Sequence, residues 1–287
     1  MISFLQIRYA YSINDMCNKT HNGNNIMKNR SDIPIKDIIA YSLMIIGIAY
    51  FVYQGAEDQG YFWQWFRVPQ YFYTWENGVF KCGLLIQGLL MTLHITWISL
   101  ILTYIVGLVT ALVRLSDSMI GKIIARFYLE LIRNTPLLVQ LFFIYFVIAP
   151  VLGIDRFWSA VLSLSLFEGA YASEIYRSGI VSLPKGQWEA AHSLGLSLYD
   201  TYRKIILPQA IRRVLPPLTS QAISLIKDSS LVSVIAIYEL TMQANAIVAD
   251  TFLTFEIYFS IAVVYLILTI ILSQFVGFME RKFSVLQ

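Results

Sequence analysis

Four ionisable residues sit where an apolar chain tolerates charge least. Lys227 and Asp228 lie near the middle of the run from Pro217 to Tyr238. Glu168 and Glu174 lie in the run from Phe157 to Tyr176. A charge at the centre of a bilayer costs at least ~2.5–3.5 kcal/mol on insertion scales. Each of these groups therefore needs a partner or water. Two chemistries fit: ion pairs satisfied inside a helix bundle, or polar groups that line a route for a charged solute. Ser229 and Ser230 add hydroxyls directly after the Lys227-Asp228 pair. Adjacent helix residues point about 100° apart, so the two charges do not serve one partner. Glu174 precedes Arg177 by three residues, which makes a local i,i+3 pair its structural alternative.

A second kind of chemistry is docking. The block from Gly186 to Pro208 is polar and helix-forming, yet it lies between strongly apolar segments. It carries Glu189, Ala190, Ala191 and Gly195, and ends Ile205-Ile-Leu-Pro208. A membrane chain keeps such a block in a short loop when something binds it. Pro184 and Gly195 bracket a short helix as start and stop signals. Ser197 and Asp200 resemble a capping box for a second helix through Ile206. Pro208 and Pro216-Pro217 punctuate the chain after that helix. A helix with alanines on its surface is thin enough to enter a groove on a partner.

The elements that position these groups are membrane spans. The 287 residues are 57% hydrophobic and 14% charged, against about 25% charged in an average soluble domain. Charge-free runs alternate with basic clusters, the pattern of a polytopic membrane protein. Six spans are expected: near Ile38 to Tyr53, within Cys82 to Val113, near Pro136 to Ile154, Phe157 to Tyr176, Pro217 to Tyr238 and Ile257 to Phe278. The second run exceeds a bilayer crossing and must tilt or protrude. His94 within it reads as a hydrogen-bonded structural histidine. Asn134 or Thr135 can cap the third span, Pro136 suits its first turn, and Pro150 and Gly153 end it.

Basic residues orient the chain. Arg8, Lys19, Lys28, Arg30 and Lys36 fall on one side, as do Arg114, Lys122, Arg126, Arg133, Arg177, Lys185, Arg203, Lys204, Arg212, Arg213, Arg281 and Lys282. The other side receives Arg67, Lys81 and Arg156. Both termini and the polar block are therefore expected in the cytoplasm. Residues 1–36 read as a loosely ordered cytoplasmic tail without a signal peptide. The aromatic stretch from Gly55 to Phe80 suits a membrane–water interface, as a helix or loop. Cys17 and Cys82 fall on opposite sides and cannot pair.

Catalytic patterns are missing. There is no phosphate loop, no His-Glu-x-x-His, no Gly-x-Ser-x-Gly and no Cys-x-x-Cys, and three scattered histidines make no metal centre. The chain reads as a transport subunit rather than an enzyme. An autonomous secondary transporter or channel for small polar solutes is the alternative, but it needs no docking loop and is usually larger.

The spacing Glu189-Ala190-Ala191, Gly195, Ile205, Pro208 resembles the coupling motif of ABC importer permeases. Further segments resemble the polar amino-acid branch of that family. They are Glu130-Leu-Ile-Arg133-Asn-Thr-Pro136, Gly169-Ala-Tyr171-Ala-Ser-Glu174-Ile-Tyr-Arg177, Leu207-Pro208-Gln209-Ala210 and Lys227-Asp228-Ser229-Ser230-Leu231. Ser229 stands where many relatives have Thr, and Glu168 is an acid many relatives lack. The resemblance implies an all-α integral membrane protein. Its six transmembrane helices would be a five-helix type I ABC importer core over residues 81–282 plus one N-terminal helix, with both termini inside. Residues 37–80 would hold the extra helix and the aromatic segment, and 177–213 the coupling loop.

It further implies ATPase coupling through Gly186, Glu189, Ala190, Ala191, Gly195, Ile205 and Pro208. The substrate pathway would run past Tyr171, Glu174, Lys227, Asp228, Ser229 and Ser230. Its implied partners are cytoplasmic ABC ATPase subunits, which bind ATP and Mg. A second permease subunit (identical or paralogous) and an extracytoplasmic solute-binding protein complete the set. The chain itself would bind no cofactor or nucleic acid, and would sit in the lipid bilayer of a bacterial inner membrane.

Overall fold

A computed structural model describes residues 35–58, 60–76 and 78–284. The expected tail up to residue 34, with Cys17, lies outside the described residues. The chain forms two compact units, 1–63 and 64–287, so the division falls inside the aromatic stretch. In the first unit, α1 (Ile35–Asp58) is one apolar helix, and Tyr53 stacks on Trp63 at 6.3 Å.

The second unit opens on the rest of the aromatic stretch. A single 3-10 turn, Trp65–Arg67, leads into α2 (Pro69–Phe72). An antiparallel hairpin comes next, β1 (Tyr73–Glu76) with β2 (Val79–Cys82), in the register Tyr73 opposite Cys82. The sequence pattern predicts a helix or loop there; the alternation of ring-bearing and polar residues pairs instead. Cys82 is exposed and unpaired at its end.

The remaining elements are helical: α3 (Leu84–Leu115), α4 (Met119–Arg133), α5 (Leu137–Phe143), α6 (Ala149–Leu152), α7 (Arg156–Val181), α8 (Lys185–Ser193), α9 (Leu198–Thr201), α10 (Leu207–Asp228), α11 (Leu240–Thr251) and α12 (Thr254–Ser284). Among the described residues, α1, α3 and α12 are long and apolar enough to cross a membrane unaided. Two further helix pairs are apolar enough only when their bent halves are taken together. One joins α4 to Leu137–Leu152 at a 109° bend, and the other joins Leu198–Ile235 to α11 at 47°. The expected fourth span is α7, an unbroken helix of 26 residues that carries too much polarity to pass the same test.

The prolines account for the irregular turns. Wide π turns occupy Ile144–Ile148 and Tyr202–Ile206, just before Pro150 and Pro208. A proline ring clashes with the carbonyl four residues back, and a wider turn moves that carbonyl away. Pro150 therefore sits inside the third span, and Gly153, at φ +66°, ends it. Pro216 and Pro217 do not punctuate the chain as expected; they lie inside α10. Packing holds that helix together, since Val214 and Leu218 are buried beside Ala172 and Tyr104 donates to the Leu218 carbonyl at 3.0 Å. Helix α10 thus begins ten residues before the apolar run that marks the fifth span. Asn134 and Thr135 also act differently from the sequence expectation. Their side chains bond back to the carbonyls of Glu130 (2.7 Å) and Leu131 (2.8 Å), closing α4 instead of opening α5. His94 is exposed and packs against Phe157, ring centres 5.3 Å apart, in place of the expected hydrogen bond.

The core seam joins α3 and α7, which run parallel. The buried residues of α3 include Gly88, Thr92, Ser99, Thr103, Gly107 and Ala111, one small residue per turn. Those of α7 include Ser159, Ser163, Gly169, Ala172 and Ser173. Small residues let helix backbones approach closely where lipid supplies no hydrophobic drive. A Cβ at Gly107 would stand 2.7 Å from that of Ala172. Gly107→Val should therefore push the helices apart and lower stability by roughly 1–3 kcal/mol. Thermal unfolding of the purified protein measures this, and an unchanged midpoint would refute the close-approach account.

Candidate functional site

The polar block folds as a helical hairpin. Helix α8 ends in a tight left-handed cap at Gly195, φ +69°. The Gly195 N–H bonds the His192 carbonyl (3.0 Å) and the Leu196 N–H bonds the Ala191 carbonyl (3.1 Å). That is the Schellman pattern, and it explains the glycine: a side chain at positive φ is strained. Ser197 caps α9 by accepting from the Asp200 N–H (3.1 Å), and its hydroxyl donates to the Asp200 carboxylate (2.9 Å). Lys204, 2.8 Å from Asp200, and then this hydroxyl hold that carboxyl below its ordinary range. The second helix does not stop at Ile206; it continues through the π turn into α10.

The hairpin's residues separate by role. Ala191 is fully buried, and Ile205 is half-buried beside Trp188, Leu183, Ile206 and Ala210. Gly186, Glu189, Ala190, Gly195 and Pro208 are exposed. Leu194, Leu198 and Tyr199, all more than 60% exposed, add apolar surface around them. Trp188 meets Tyr202 edge to face at 5.0 Å, which locks the two arms together. Arg213 reaches back to the Ser182 carbonyl at 2.8 Å, which ties the base of the hairpin to the end of α7.

The intramembrane charges fall into two clusters. At the same end as the hairpin, Glu174 accepts from three arginines: Arg114 (2.8 Å), Arg177 (3.1 Å) and Arg133 (3.3 Å). The local i,i+3 pair forms, but as one arm of a clamp that joins α3, α4 and α7. Arg133 also lies over the Tyr171 ring at 5.7 Å. Sequence spacing could not show the Arg114 arm, because 60 residues separate it from Glu174.

The second cluster lies almost two turns back toward the N-terminus of α7. Glu168 is 1% exposed and accepts a hydrogen bond from the Gln221 amide, with the Asp228 carboxyl beside it. Asp228 is half-buried in this contact, whereas Lys227 is exposed. The two neighbours thus face different surroundings, as helix geometry requires. Ser229 and Ser230 spend their hydroxyls on the carbonyls of Ile226 and Lys227, both at 2.7 Å, where α10 tightens into a 3-10 turn. The candidate pathway residues therefore do not converge on one point. Tyr171 and Glu174 belong to the arginine clamp, and Asp228 belongs with Glu168.

Two buried acids carried no sequence signal. Glu239 is fully buried and caps α11 by accepting from the N–H groups of Thr241 (2.9 Å) and Met242 (2.7 Å). The Tyr265 hydroxyl of α12 also donates to it at 3.1 Å. Glu256 is fully buried and accepts from the Gln64 N–H at 2.6 Å. Among the described residues no group of three His, Cys, Asp or Glu is placed to hold a metal ion.

Comparison with known proteins shows what the whole chain is similar to. Residues 103–285 match the family described as binding-protein-dependent transport system inner membrane component. The chain is 42% identical over 206 residues to the glutamine transport system permease protein GlnP of Escherichia coli (strain K12), covering 71% of this chain and 94% of that one. It is 43% identical over 199 residues to the L-cystine transport system permease protein TcyB of Bacillus subtilis (strain 168), covering 68% and 84%. Among solved structures, a chain of an amino acid ABC transporter crystallised with histidines is similar at 40% identity and TM-score 0.66, over 69% of this chain and 94% of that one. An inward-facing MetNI methionine ABC transporter shares the fold at 18% identity and TM-score 0.58, over 70% of this chain and 96% of that one.

The clamp around Glu174 generates an expectation. Arg114→Met and Glu174→Gln should each destabilise, and the double variant should lose less than their sum. A coupling of roughly 0.5–3 kcal/mol is expected for groups in one network. Thermal unfolding of the four proteins measures it, and strict additivity would show that the pair is not energetically coupled.

Proposed function

The chain belongs to the family of binding-protein-dependent transport system inner membrane components and is the permease subunit of an amino-acid ABC importer; from that premise we propose that its exposed hairpin receives a separate ATPase and converts its motion into opening and closing of a polar route. The single observation behind this reading is how the hairpin is attached. It is continuous with α10 and bonded to the end of α7, and those two helices carry Gln221, Asp228, Glu168 and Glu174. A rigid displacement of the hairpin must move both polar clusters.

In this reading the ATP, its Mg and the hydrolytic chemistry belong to the partner subunit. The chain contributes Glu189, Ala190 and Gly195 as the docking face, and a second permease subunit, identical or paralogous, forms the other wall of the route. The transported solute is a polar amino acid delivered by an extracytoplasmic binding protein across a bacterial inner membrane. Its ammonium and carboxylate groups replace part of their hydration with the polar groups near Asp228, Lys227 and Tyr171 as the halves alternate between outward- and inward-facing forms. An autonomous carrier gains nothing from such a docking hairpin.

Glu189 offers a clean test. Its side chain is exposed, and only its backbone carbonyl is used locally, accepting from Ser193 at 2.9 Å. Glu189→Lys should therefore leave insertion and folding intact while it places a reversed charge in the docking interface, which typically costs several kcal/mol. Uptake of labelled amino acid by membrane vesicles should fall to background at normal protein level. Wild-type uptake would exclude the docking role.

The route has its own test. Lys227→Met removes an exposed charge on which the fold of this chain does not depend. Assembly and basal ATPase activity should persist, and uptake per assembled complex should drop by at least about tenfold, the cost of losing one charge-assisted contact. Unchanged uptake per complex would remove Lys227 from the route.

A further inference from the structure

Helix α4 has three faces, and the fold covers one. Ala125, Leu129 and Ile132 are buried, with Leu129 and Ile132 beside Ala170 of α7, and the Tyr128 hydroxyl donates to the Leu166 carbonyl at 2.6 Å. A basic stripe comes next around the helix: Lys122, Arg126 and Arg133, with Glu130 among them. Beyond it lies an apolar face of Ile120, Ile123, Ile124, Phe127 and Leu131, each between 52% and 72% exposed. The axis of α4 turns by 109° from the segment that follows it, Leu137–Leu152, so the two do not form one straight helix. An amphipathic helix with basic residues beside an apolar face is the form that binds an anionic lipid surface.

Two cavities meet on this helix. A polar one of about 360 Å³ is lined by Arg114, Arg126, Arg133, Asn134, Tyr171 and Glu174. A more apolar groove of about 450 Å³ is lined by Met119, Lys122, Ile123, Arg126 and Phe127. Arg126 and Glu130 belong to both. In the polar cavity the clamp already uses the Glu174 carboxylate to neutralise Arg114 and Arg133 in part, so the arginines outnumber the acids. A polar, net-cationic pocket that opens directly into an apolar groove is complementary to a molecule with an anionic head and a hydrocarbon tail.

We propose that this corner, between α4 and the end of α3, holds one anionic phospholipid, its phosphate in the arginine cavity and an acyl chain along Ile123 and Phe127. The basic ends of α3, α4 and α7 assign the site to the cytoplasmic leaflet, where such lipids act on basic clusters. The site shares Arg114, Arg133 and Tyr171 with the clamp, so an occupied cavity braces the joint of three helices. This assignment stands apart from the docking of the ATPase, which uses the hairpin of α8 and α9.

The experiment uses the purified full-length chain and native mass spectrometry, with phosphatidylglycerol titrated against phosphatidylcholine. Phosphatidylglycerol should be retained preferentially at one copy per chain. Arg126→Gln should lower that preference about fivefold, the effect of one basic side chain near a lipid surface. Arg126 lies outside the Glu174 clamp, so this variant leaves the fold intact. Lys185→Gln, equally basic but remote from the cavity, should leave the preference unchanged. Equal retention of the two lipids, or equal loss for both variants, would overturn the site. So would cross-linking of Phe127→Cys to another subunit, in a chain with Cys17 and Cys82 replaced by serine, because a protein would then cover this face. Loss of the preference with normal uptake separates the lipid site from the transport reading.

Discussion

Two helix backbones must come into contact in a medium that gives apolar side chains no reason to associate. Helices α3 and α7 meet this constraint with a stripe of glycine, alanine, serine and threonine residues along the seam. Close approach then replaces hydrophobic drive, through dispersion and short contacts such as the Ser165 hydroxyl on the Ser99 carbonyl at 3.2 Å. Most other features depend on that seam. It brings Arg114 to Glu174, gives α10 a surface on which two internal prolines are tolerated, and leaves Glu168 with almost no exposure.

The seam also explains why polarity survives inside the bundle. A buried acid persists only with partners, and each of these three acids has them from another helix. Glu174 draws arginines from α3, α4 and its own helix. Glu168 draws the Gln221 amide from α10. Glu239 caps one helix and is held by a tyrosine of the next. These are bonds between separate helices of the bundle.

Much of the functional surface is legible without any fold. The polar hairpin can be read because local rules govern it: a proline start, a glycine stop at positive φ and a serine cap. All three depend on neighbours within a few residues. The direction of the caps at Asn134 and Thr135 escapes the same rules. Either direction satisfies local hydrogen bonding, and the choice fell to α4 because Pro136 offers the next helix no N–H there while Gln140 reaches back to the Ile132 carbonyl and to Thr135.

Composition and charge pattern determined that this chain spans a membrane, and the motif from Glu189 to Pro208 marked an exposed helical hairpin. Those are properties of runs and short spacings, which a sequence displays directly. Tertiary structure decided which charge meets which. Arg114 and Glu174 are 60 residues apart, and Glu168 and Gln221 are 53 apart. No periodicity links such positions; only the register of α3 and α10 against α7 does. That register is set by where small residues allow the backbones to close. The sequence therefore carried the elements and the polar hairpin, and packing distributed the candidate pathway residues between two separate clusters.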